Sequence, residues 1–80
     1  MNAERKREAE EMADIAESLF QAAERLHEAA DTIELSRSGE PASRKMQEMA
    51  KGYRKAADKL EKQARLAKRR ADEINKEAEA

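Results

Sequence analysis

Apolar residues recur along this chain in two interleaved seven-residue series. Alanine holds the first, at Ala9, Ala16, Ala23 and Ala30, and again at Ala50, Ala57, Ala64, Ala71 and Ala78. Mostly larger side chains hold the second, at Met12, Leu19, Leu26 and Ile33, then Met46, Tyr53, Leu60, Ala67 and Ile74. The steps between the two series alternate three and four, the a/d spacing of α-helices packed along their length. Small residues at a let two backbones approach closely, and the larger d residues are expected to fill the seam. A chain patterned in this way is built to contact helices.

One break interrupts the pattern. Ser36-Arg37-Ser38-Gly39-Glu40-Pro41 holds the single proline and one of the two glycines, and the alanine register resets between Ala30 and Ala50. Gly39 suits the left-handed closing residue of a first helix, and Pro41 suits the first turn of a second. Ser38 is the expected N-cap, with Glu40 near the positive helix end. The expected architecture is therefore all-α. It is a single domain over residues 1–80, an antiparallel two-helix hairpin with helices over about 3–36 and 41–77 and a turn at 37–41. Gly52 falls inside the second helix, where it costs up to about 1 kcal/mol relative to Ala.

Apolar residues also occur beside the a/d rows. Ile15, Ala22 and Ala29 lie on the g shoulder of the first helix, Ala13 and Phe20 on its e shoulder. A lone hairpin leaves one shoulder in water, which predicts a four-helix bundle completed by a homodimer or by a helical protein partner. The expected hairpin seam comprises Ala16, Leu19, Ala23, Leu26, Ala57, Leu60 and Ala64. The expected partner interface comprises Ile15, Phe20, Ala22 and Met49.

Composition narrows the function classes. Charged residues make up 44% of the chain and Cys is absent, which removes disulfides and thiolate metal sites. No apolar run approaches the roughly 20 residues of a membrane span. Met1-Asn-Ala-Glu-Arg-Lys-Arg7 leads into an acidic amphipathic stretch, so a cytoplasmic protein without a cleaved signal is expected. Charge is divided unevenly. Residues 1–36 hold ten acids and four bases, a net −6, and residues 42–80 hold seven acids and twelve bases, a net +5. Acidic and basic helices favour the hairpin over parallel pairing of like helices.

Glu24-x-x-His27 has the spacing found in di-iron bundles. Glu24 falls at b and His27 at e, however, whereas metal ligands project inward, so a solvated Glu and an interface-edge His are expected. No metal, cofactor or catalytic set is assigned, and an enzyme is not expected. Lys55, Lys62, Arg69 and Lys76 form a basic row at f on the second helix. Such a row is the electrostatic footprint of nucleic acid, but it also describes a solvated helix back, with no aromatic residue to stack a base. Nucleic-acid binding by a homodimer is kept as the alternative function, together with a small regulatory or anti-host protein acting by occlusion.

The middle of the chain resembles the WXG family of small helical hairpins associated with type VII secretion. The resemblance lies in Arg37-Ser38-Gly39 at the turn and in Tyr53-Arg-Lys-Ala-Ala-Asp-Lys-Leu60 within Ala-rich heptads. Arg37 stands where the family has Trp, and the family's export tail, Tyr-x-x-x-Asp/Glu after the second helix, is absent. The resemblance implies an accessory hairpin that escorts a helical partner such as a secreted toxin, with export only as part of that complex.

Overall fold

In a computed structural model, residues 2–35 and 43–79 are described. Two helices account for nearly all of them, α1 over Asn2–Leu35 and α2 over Arg44–Glu79. Both are rich in Ala, Leu, Glu, Lys and Arg, the strong helix formers. Glu4 in the first turn of α1 and Lys76 in the last turn of α2 complement the helix dipoles. The helices run antiparallel. Arg5 pairs with Glu77, His27 with Glu61 and Glu34 with Arg54, so each advance along α1 matches a retreat along α2. The resulting rod measures 60 × 15 × 12 Å.

The expected turn at 37–41, with Gly39, Pro41 and the proposed cap Ser38, lies outside the described residues. The start of α2 differs from expectation. It begins at Arg44, and Ser43 caps it. The Met46 backbone N–H donates to Ser43 Oγ at 3.2 Å, and the Gln47 N–H donates to the Ser43 carbonyl at 2.9 Å. These are the bonds of an N-cap serine to the third helical residue and of the first intrahelical turn. Ser43 gave the same chemical signal as Ser38, and the nearby proline drew the expected boundary too early.

Eleven described residues are buried, ten of them alanines and the other Ile74. Every a alanine is among them. The large d residues Met12, Leu19, Leu26, Ile33, Met46, Tyr53 and Leu60 are only half-buried. The line of closest approach therefore runs through the a positions, and the large d side chains border the seam instead of filling it. Of the d residues, only Ala67 and Ile74 are buried. Ile74 packs with Ala9, Ala71 and Met12 at the end of the rod remote from the turn.

Candidate interaction surfaces

Centring the contact on a gives the hairpin two unlike sides. On a helical wheel d and g are neighbours on one side of a, and e lies on the other. The d/g side is apolar through the middle of the rod and toward the turn, while Arg5 and Glu77 pair on it at the far end. Leu19 and Leu26 of α1 and Tyr53 and Leu60 of α2 are half-buried there, with the half-buried Ala22, Ala29 and Ala56 beside them. Ile15 and Met49 are the most open of its large residues, at 49% and 48% exposure.

The e side is polar over the half nearer the turn. The Arg54 guanidinium donates to Asp31 Oδ1 at 2.7 Å and to both Glu34 carboxylate oxygens, at 3.0 and 3.4 Å. Hydrogen bonds to Asp31 first, and then to Glu34, hold the Arg54 pKa above its ordinary value. One heptad further along, His27 Nε2–H donates to Glu61 Oε1 at 3.1 Å. The other Glu61 oxygen lies 3.4 Å from the Arg65 guanidinium. A heptad beyond that, Phe20 lines a shallow groove with Ala13, Glu17, Glu24 and Lys68.

The expected seam residues divide accordingly: Ala16, Ala23, Ala57 and Ala64 lie on the buried line, and Leu19, Leu26 and Leu60 lie along its apolar border. The expected partner-facing residues do not share one surface. Ile15, Ala22 and Met49 fall on the d/g side and Phe20 on the opposite e side. Glu24 and His27 likewise have different surroundings, with Glu24 at the Phe20 groove and His27 bonded across the seam to Glu61. The basic row Lys55, Lys62, Arg69 and Lys76 is exposed on the back of α2. Leu66 is exposed beside Lys62, Arg65 and Arg69.

Sequence reasoning passed over Arg54, Asp31 and Asp58. The signal for Arg54 was present, since e residues of antiparallel helices face one another and Glu34 and Arg54 are both at e. No family model, curated protein or solved structure matches this chain.

Proposed function

We propose that this chain works by binding, docking its d/g side onto helices of a partner protein to complete a helical bundle. The carrying observation is that large apolar side chains of both helices border the seam on one side, while ion pairs close part of the other. Burying that border supplies the apolar area that a seam of alanine methyls lacks. A second copy of the chain is the simplest partner and a different helical protein the other. The resemblance to WXG hairpins supports the narrower reading, an accessory or chaperone-like partner of a type VII secreted toxin, held in the cytoplasm and exported only within that complex.

Light-scattering mass and helicity of the purified chain test the reading. A helical dimer, or a weakly helical monomer that orders on adding a helical partner, agrees with it. In either case Leu26→Asp or Ile15→Glu should abolish the association. A stable, fully helical monomer indifferent to both substitutions would refute it.

Nucleic-acid binding through Lys55, Lys62, Arg69 and Lys76 is the second reading, favoured by the exposure of that row on the back of α2. Phosphate contacts weaken steeply with salt, whereas apolar docking persists. A salt series separates the two.

A further inference from the structure

The e side carries a constellation that the docking reading does not use. His27 of α1 and Asp58 and Glu61 of α2 each bring one potential ligand atom to a common point, all within 4.8 Å of one another. The set is mixed, one imidazole nitrogen and two carboxylate oxygens, which is a donor combination suited to zinc and similar divalent ions. It is also drawn from both helices, with the two acids three residues apart on one turn of α2.

The spacing is near what an ion requires. Two ligands about 2.1 Å from a tetrahedral ion stand about 3.4 Å apart, and His27 Nε2 and Glu61 Oε1 already stand 3.1 Å apart. The longer separations therefore all involve Asp58, whose exposed side chain can close them by changing rotamer. His27 and Glu61 are held more firmly, with side chains 34% and 27% exposed. The cation paired within the set is Arg65, on the outer oxygen of Glu61, and its side chain is 63% exposed and able to swing into solvent.

We propose that His27, Asp58 and Glu61 bind one zinc-type divalent ion, which ties α1 to α2 at mid-seam. Binding replaces the hydrogen bond now made there. Nε2 gives up its proton, Nδ1 carries the ring's one remaining proton, and the Nε2 lone pair goes to the ion. Glu61 Oε1, which accepts the Nε2 proton in the ion-free pair, becomes a second ligand and Asp58 the third. At least one position on a tetrahedral ion remains for water. Because the ion holds only the folded arrangement of the two helices, it stabilises the hairpin by mass action.

The test is a titration of the full chain with zinc chloride alone, after chelator treatment, followed by calorimetry, thermal melting and the His27 ring resonances. The chain has one histidine, so those resonances are unambiguous. The expected result is one ion per chain, a higher melting temperature and a shifted ring signal. Asp58→Asn and His27→Gln should each weaken binding by roughly 10–100-fold or more, since a direct ligand matters at least as much as an outer-shell partner. Helicity without zinc checks that each variant folds, and either one alone suffices. No saturable binding, an unmoved ring signal, or equal binding by a folded variant would overturn the proposal. The docking reading stands or falls separately, because its variants lie on the opposite side.

Discussion

Ser43 and Gly52 show how single residues set the stability of α2. The Ser43 hydroxyl satisfies one backbone N–H at the helix start, so Ser43→Ala should cost about 1 kcal/mol in denaturant unfolding, with Ser43→Asp near neutral. Gly52 is exposed in mid-helix, and a methyl group added there meets nothing within 4 Å. Gly52→Ala should therefore stabilise the chain by up to about 1 kcal/mol, read as a rise in denaturation midpoint. A fall in the midpoint would mean that the site tolerates less than its surroundings indicate. Both residues were legible in the sequence as types but not as roles. Ser38 and Ser43 carry the same cap chemistry, and only the placement of the first turn separates them. Glycine in a helix always raises the question of close approach, and here the hairpin itself supplies no neighbour.

At the scale of the helices, the heptads made the hairpin and its alanine line legible, because spacing dictates which residues share a face. They did not reveal how the contact is rotated. Alanine at every a position draws the backbones together along that row. Large d side chains cannot follow into so narrow a gap, so they lie along its edge. Substitutions should feel the difference. Ala64→Leu, at a fully buried position, should cost about 1–3 kcal/mol by overpacking. Leu26→Ala, at a half-buried one, should cost less than the roughly 2–5 kcal/mol of a core Leu→Ala in the isolated chain. Thermal melts of both variants decide it; a tolerated Ala64→Leu beside a full core-sized loss at Leu26→Ala would place the leucines, not the alanines, at the heart of the seam. The His27–Glu61 contact is an e–e pairing of the same kind as Glu34–Arg54, so half of that cluster was legible. Asp58, at b, joins it only once the antiparallel register sets α1 against α2, whereas Glu24-x-x-His27 was visible because its members are near in sequence.

Over the half of the molecule nearer the turn, charge and apolar surface are sorted by side, and at the far end Arg5 and Glu77 pair on the d/g side. The bonded Arg54 has its pKa raised, so while Asp31 and Glu34 are ionised its contribution is complete at pH below that of an unfolded arginine. On the basic side it is lost as pH climbs through the raised folded value. Melting temperature should therefore show no step from Arg54 across the neutral range. Added salt should instead reduce the difference between the native chain and Arg54→Ala, since these ion pairs are open to solvent. The described helices include none long and apolar enough to cross a membrane.

Ile74 has a consequence of its own. A hairpin joined at one end would be expected to unravel from the other, where its strands of helix are untethered. Among the described residues, the one large, fully buried side chain is at that end, among Ala9, Ala71 and Met12. The knot acts as a clasp at the end away from the connection. Opening fluctuations then have to start in the alanine-lined middle or else undo the clasp first, so amide protons near Ala71 should exchange no faster than those near Ala57. Ile74→Ala should reverse that order and let the rod peel open from its tip.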